Sequence, residues 1–486
     1  MAADERISTL VKWATSQGAS LHPSVEVYDD PITGFSFRVK EGSPTLESWD
    51  RIVSLPSTLT LSYLNAVQDE SAPFRGAFMA QTPPHVIGRF FLMWQYLLGE
   101  ASPWWAYIQA LPQPDVEEGS WQLAPFWPAE DAELLEGTNV EVGLEKIRRD
   151  VRNEYSRAAE LFAAGLAEGE GERAGRITTG LYQWAYCVFS SRSFRPSLVI
   201  PETEQGRLPQ GVKMDDFSVL LPLFDIGNHD MTLDVKWDVI IPPTNGADAA
   251  TNGTSSSPLS TCELRVGRAF QPGQQVFNNY SMKTNAELLL GYGFMLPPTA
   301  SLHNDYIHVR KRAASAAASE EYYISLRPLA DPSSLLGRHR QSFMIGESES
   351  ESGDGAVLGA FSHLQTDMVW DIFTTILAGS GARVDDVLPV PEGAEEDGEE
   401  AARRQAFFAG RVGEACGGFV EQTAAVIQHK VLQELERLDE TEVEVAEEDR
   451  ERLTANQRLA LEYRRRCRAV LESTLEAMEA TFSGNE

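Results

Sequence analysis

Two strand-patterned stretches, 25–39 and 217–294, are parted by residues 60–205, where the apolar spacing becomes helical. That order predicts a β-rich core split by a long helical insertion. In the first stretch Val25-Glu26-Val27-Tyr28 alternates, Asp29-Asp30-Pro31 turns, and Phe35-Ser36-Phe37-Arg38-Val39 alternates again until Gly42-Ser43-Pro44 breaks the pattern. Ile7, Leu10, Val11 and Ala14 predict an amphipathic helix over 1–20. Within the insertion, 86–98 is strongly apolar, 140–167 charged and amphipathic, and 178–189 rich in aromatics. Beyond residue 300 apolar stripes predict helices within 361–377, 401–438 and 452–482, with solvated acidic loops at 392–400 and 442–451. Low complexity predicts a disordered loop over 244–258, and another flexible loop is expected over 346–355. The fold class expected is α+β: a β-rich part split by a helical insertion over about 60–205, followed by an all-α C-terminal part.

At 486 residues the chain exceeds one compact core and predicts two or three domains. A formal net charge of −31 argues against nucleic acid as a direct partner and suits a basic protein. Cys187, Cys262, Cys416 and Cys467 are scattered, which predicts neither a zinc site nor a disulfide framework, and no metal is expected. Without an apolar leader or a run of about 18 apolar residues, no membrane partner is expected. Residues 252–254 and 279–281 match glycosylation sequons, and are read as chance matches. The expectation is a soluble, cytoplasmic monomer that also reaches the nucleus.

Chemistry concentrates at two places. The apolar run Phe217-Ser218-Val219-Leu220-Leu221-Pro222-Leu223-Phe224 reads as a buried strand and ends on Asp225-Ile226-Gly227-Asn228-His229. About fifty residues on, the short strand Gln275-Val276-Phe277 precedes Asn279-Tyr280-Ser281 and the helical segment Asn285-Ala286-Glu287-Leu288-Leu289, which runs on to Tyr292-Gly293-Phe294. Polar groups at the ends of buried strands are where a rigid scaffold holds reactive side chains. No G-x-S-x-G, phosphate loop or H-E-x-x-H accompanies them, which argues against a hydrolase.

This pair of segments resembles the two signature motifs of SET-domain protein methyltransferases, in the branch typified by the Rubisco lysine methyltransferases. The resemblance implies a SET domain over 1–300, interrupted by the helical insertion, and a helical substrate-binding domain over 301–486. It also implies S-adenosyl-L-methionine as methyl donor and protein-lysine N-methylation of a non-histone protein, ribosomal or translation-related. On that resemblance Tyr280 is the catalytic residue, beside the methyl group and the target nitrogen, and also contacts the donor. Asn228 and His229 hold the donor, Arg192 in Ser191-Arg192-Ser193-Phe194 reaches its carboxylate, and Thr33, Gly34 and Phe35 form its backbone cradle. Asp225, Trp237 and Tyr292 face the substrate, Trp237 standing where the branch has a channel tyrosine. The family's Gly-x-Gly keeps only its first glycine here, and Ser36 adds a Cβ at the second. Methyl transfer needs an unprotonated amine, and a lysine with a pKa near 10.4 is neutral about once in a thousand at pH 7. Aromatic walls and hydroxyls are therefore the expected tools. Other readings stay open: a SET-like pseudoenzyme working as a binding scaffold, or a histidine or histone methyltransferase.

Overall fold

The computed structural model describes residues 3–114, 121–167, 170–201, 208–241, 260–310, 321–340, 358–391 and 398–483. The loops expected at 244–258 and 346–355, and most of 392–400, lie outside them. The chain forms two compact units, Met1–Leu123 with Ile147–Met282, and Ala124–Lys146 with Lys283–Glu486. Residues 124–146, expected inside the insertion, go with the second unit because Ala124, Trp127, Leu135, Val140 and Leu144 are buried in its apolar core.

Among its described residues the first unit holds three small antiparallel sheets. Strands β1 (Ser20–Leu21), β4 (Arg51–Pro56), β9 (Thr261–Val266) and β8 (Val235–Ile240) form one in the order β1-β4-β9-β8. A second has the order β10-β3-β2, from β2 (Val25–Asp30), β3 (Gly34–Val39) and β10 (Gln275–Val276). The third is β5-β7-β6, from β5 (Leu61–Ser62), β6 (Ser193–Phe194) and β7 (Val219–Leu220). The β2–β3 hairpin runs in register from Val25 opposite Val39 to Asp30 opposite Gly34, and burial alternates along β2 as the sequence alternates. Its turn is closed by Asp30, whose carboxylate accepts the backbone N–H groups of Ile32 (2.9 Å) and Thr33 (3.0 Å). Those bonds hold the Asp30 carboxyl down at about 2. Gly34 leaves the turn at φ +70°, a conformation that costs glycine little. β10 then adds to the hairpin from far along the chain, Val276 opposite Phe37.

The insertion is helical as expected. Pro84–Leu98 opens on a proline, whose fixed φ suits a first helical turn, and stops at Gly99 with φ +59°. Its Phe90 packs with Phe78 and Phe162, and with Tyr182 of the helix Thr179–Arg192. The run 217–224 is less of a strand than its composition suggests. Only Val219–Leu220 pair, because Pro222 has no N–H to donate and Leu223 turns to φ +73° ahead of a 3-10 turn over Phe224–Ile226.

The second unit is built on the helices Thr366–Ser380, Glu414–Glu440 and Ala455–Ser483, around Phe361, Phe373, Phe407 and Phe408. The part expected to be wholly helical also carries an antiparallel hairpin, β11 (Tyr306–Arg310) with β12 (Glu321–Ser325). The four cysteines are buried free thiols.

Candidate active site

The two motif segments of the first unit meet directly. His229 and Asn278 form a parallel bridge, with the Asn278 N–H donating to the Asn228 carbonyl (2.7 Å) and the Asp230 N–H to the Asn278 carbonyl (2.9 Å). So close an approach needs Gly227: a Cβ there would stand 3.0 Å from Asn278 Cβ and 3.4 Å from its nitrogen. Asn279 fixes the outgoing turn by donating from Nδ2 to the carbonyls of Met231 (3.3 Å) and Leu233 (2.8 Å).

Tyr280 is held from three directions. Its backbone N–H donates to His229 Nδ1 (3.1 Å), its ring stacks on the His229 imidazole at 5.0 Å and 9°, and its hydroxyl donates to the Gly227 carbonyl (2.9 Å). Because Nδ1 accepts, the proton of neutral His229 sits on Nε2. The imidazole is thus a brace for the phenol, and the phenol oxygen is anchored beside the backbone of the first motif.

Asn228 donates from Nδ2 to Ser36 Oγ (2.7 Å) and to Gln275 Oε1 (3.1 Å). Gln275 Nε2 donates in turn to the Tyr28 hydroxyl (2.9 Å), which donates to Asp30 (2.9 Å). Thr33 Oγ1 lies 2.9 Å from Ser36 Oγ. Phe35 lies under the Arg6 guanidinium, 5.0 Å from its ring centre. The expected donor cradle, Thr33, Gly34 and Phe35, is therefore tied to the Asn228 segment through Ser36.

Arg192 ends its helix with Nη1 donating to the Asp225 carbonyl (3.1 Å), and Asp225 Oδ2 lies 3.7 Å away. Asp225 itself needs a correction. It was expected to face a substrate, yet its side chain is 2% exposed and its Oδ2 accepts the Tyr107 hydroxyl (2.8 Å). Burial raises its carboxyl above the ordinary range, against the pull of Arg192 and Tyr107. It is an internal partner that orients Arg192. Trp237 sits in β8 with its ring edge-on to Phe194, 6.4 Å between centres. Tyr292 belongs to the second unit, where it ends the helix Asn285–Tyr292 and meets Phe294 at 6.4 Å, its phenol raised by burial. Sequence reading thus named Tyr280, His229, Asn228, Arg192 and the donor turn, and the first unit holds these in three hydrogen-bonded groups that meet along residues 225–229. It missed Tyr107, Tyr28, Gln275 and Asn278. Gln275 carried a signal, being a polar residue at the mouth of the strand that leads to Tyr280.

In chemical terms, the first unit offers a guanidinium, an oriented carboxamide, a braced phenol and two glycine-dependent turns. That set suits a zwitterionic ligand. Among the described residues no group of three or more His, Cys, Asp or Glu could hold a metal ion.

The chain is 26% identical over 315 residues to the ribosomal lysine N-methyltransferase set10 of Schizosaccharomyces pombe, covering 63% of this chain and 50% of that protein. It is 24% identical over 297 residues to the N-lysine methyltransferase SETD6 of Bos taurus, covering 60% and 57%. The match thus spans little more than half the length of these curated relatives. Among solved structures, the SET domain of LSMT bound to lysine and AdoHcy superposes with a TM-score of 0.55 at 16% identity, covering 100% of this chain and 92% of that one. Rubisco LSMT bound to AdoMet gives 0.53 at 16% identity, covering 99% and 92%. No family model matches the chain.

Proposed function

We propose that this chain, which has the SET-domain fold of the Rubisco lysine methyltransferase-like branch, is an S-adenosyl-L-methionine-dependent protein-lysine N-methyltransferase acting on a non-histone protein of the ribosome or translation machinery. The observation that carries the reading is the crossing of the two motif segments, with Tyr280 braced on His229 and hydrogen-bonded to Gly227. The relatives named as lysine N-methyltransferases support the reaction class.

The residues present fit the donor. Arg192 is a planar cation for its carboxylate, and Asn228 is a carboxamide for its amino-acid end. At Gly34 an added Cβ would meet nothing within 4 Å, so the turn stays open to a ligand. When bound, this group supplies a methyl carried on a sulfonium cation. The protein's part is positioning and desolvation. Tyr280, held at ring, backbone and hydroxyl, defines where an amine must lie. The nearby carbonyl of Gly227 is an acceptor that would orient amine N–H groups, and aromatic surroundings favour the neutral amine. On this reading Trp237, in the same unit, supplies such aromatic surface.

The division that goes with it is a SET domain over 1–300, with the insertion at about 60–205, and a helical substrate-binding domain over 301–486. The net charge of −31 suits a basic substrate and steers its approach. The protein then works as a monomer in the cytoplasm, with access to the nucleus.

The test uses the full chain with radiolabelled donor and a lysate of cells that lack it, followed by identification of the labelled residue. Tyr280→Phe keeps the ring on His229 and should lower labelling on the order of 100-fold, while donor affinity holds. Undiminished labelling removes Tyr280 from the reaction. A wild-type chain that binds no donor in isothermal titration favours the scaffold reading, and a labelled histidine redirects the target.

A further inference from the structure

Ser36 is fully buried on β3, where the related pattern would leave a bare glycine. Its hydroxyl is not idle. It donates to the Gly34 carbonyl (2.9 Å) and accepts from Asn228 Nδ2 (2.7 Å), a residue 192 positions away. The second N–H of the same amide goes to Gln275 Oε1 (3.1 Å). Gln275 cannot turn over to compete, because its Nε2 is spent on the Tyr28 hydroxyl, whose own proton goes to Asp30. Each step in this chain sets the sense of the next, and Asp30 fixes the end because an ionised carboxylate only accepts.

A carboxamide with both N–H groups engaged has only its carbonyl oxygen left to offer a ligand. We propose that Ser36 is a positioning residue that locks the Asn228 carboxamide, so that Asn228 presents an acceptor to the cationic amino group of the methyl donor. The proposal rests on the donor assignment above and adds to it a second role for the β3 strand. The related glycine provides space alone; here a hydroxyl in that place orders the amide before the ligand arrives. A ligand that finds its acceptor already aligned loses less freedom on binding.

Two measurements on the full chain test this. The first needs no ligand: urea unfolding of the wild type, Ser36→Ala, Asn228→Ala and the double variant. Coupled residues lose less together than the sum of their separate losses. A non-additive shift in unfolding midpoint is expected, and strict additivity overturns the lock. The second is isothermal titration with S-adenosylhomocysteine and with methylthioadenosine, which lacks the amino-acid part. Ser36→Ala should weaken the first roughly five- to tenfold, about one hydrogen bond's worth, and leave the second within about twofold. Equal loss for both ligands marks a general distortion and overturns the proposal, as does unchanged or tighter binding of S-adenosylhomocysteine by Ser36→Ala or Ser36→Gly. A wild type that binds neither nucleoside overturns the donor assignment and the ligand half of this proposal. The unfolding cycle then decides the Ser36–Asn228 lock by itself.

Discussion

Gly227 and Gly34 flank the same site but need glycine for different reasons, and substitution should separate them. Gly227 has φ −64°, open to any residue, so its alanine variant fails on space: the methyl meets Asn278 Cβ at 3.0 Å. Gly34 has φ +70° and nothing near its missing Cβ, so its alanine variant fails on backbone conformation alone. Gly227→Ala is expected to cost about 1–3 kcal/mol of stability, as overpacking does, and to pry the motifs apart so that donor affinity falls with it. Gly34→Ala should cost about 1 kcal/mol. Calorimetry together with donor titration checks both, and equal donor affinity in Gly227→Ala and wild type would contradict the close-approach argument. At this scale the sequence spoke where polar residues ended apolar runs, as at Asn228 and Tyr280. It was silent on Tyr107, whose hydroxyl matters only because folding carries it to Asp225, 118 positions away.

Among elements, the short helix Asn285–Tyr292 shows how a local signal is reinforced by distant ones. Thr284 caps it, accepting the Glu287 N–H (3.2 Å), while the Glu287 carboxylate accepts the Thr284 N–H (2.8 Å). Thr284 Oγ1 also lies 2.8 Å from His308 Nε2, whose Nδ1 lies 2.8 Å from Glu321. This threonine–histidine–glutamate chain has the order of a nucleophilic triad, but its hydroxyl is fully buried and committed to the cap. Arg340 completes the arrangement with Nη2 on both Glu287 oxygens (3.1 and 2.9 Å). Thr284→Ala should therefore sit at the high end of cap losses, about 2 kcal/mol in urea unfolding, and Thr284→Ser should recover most of it. A loss below about 0.5 kcal/mol would show the cap to be dispensable. The spacing Thr284 to Glu287 is readable from the chain, whereas the His308 contact is not. In the same way the strand expected over 217–224 shrank to two residues. Apolar composition reports burial, and only the proline at 222 hinted that pairing would stop.

For the molecule as a whole, a pH response in the mildly acid range belongs to the second unit. His303 is fully buried, stacked on Tyr306 at 4.8 Å and 3.0 Å from Ser334 Oγ. Burial lowers it from 6.5 to about 4, and His363 is lowered in the same direction by the same cause. The folded-state value lies below the unfolded one, so as pH falls under 6.5 the unfolded chain takes up the proton first. Stability present above pH 6.5 is thus lost between about 6.5 and 4, with a limiting slope of about 1.4 kcal/mol per pH unit for one group. Urea unfolding across that range should show midpoints falling with pH, and His303→Gln should flatten the trend. A wild-type curve level from pH 6.5 to 4 would contradict it. The division into units was the least legible feature at this scale: residues 124–146 look like any other helical stretch until their apolar side chains are seen in the core they share with Phe373 and Val470.

The pairing of β10 with β3 also has a meaning in time. During synthesis the first two strands of that sheet are complete once residue 39 emerges, but Gln275 and Val276 follow only after the helical insertion has been made. At about 5–20 residues per second that wait is roughly 10–50 s. Throughout it the outer edge of a nascent hairpin stands bare, a template for any passing strand. The sheet that carries Gly34 therefore gains its third strand only in the second half of synthesis, and production of the intact protein should depend on chaperones that shield that edge until its partner arrives.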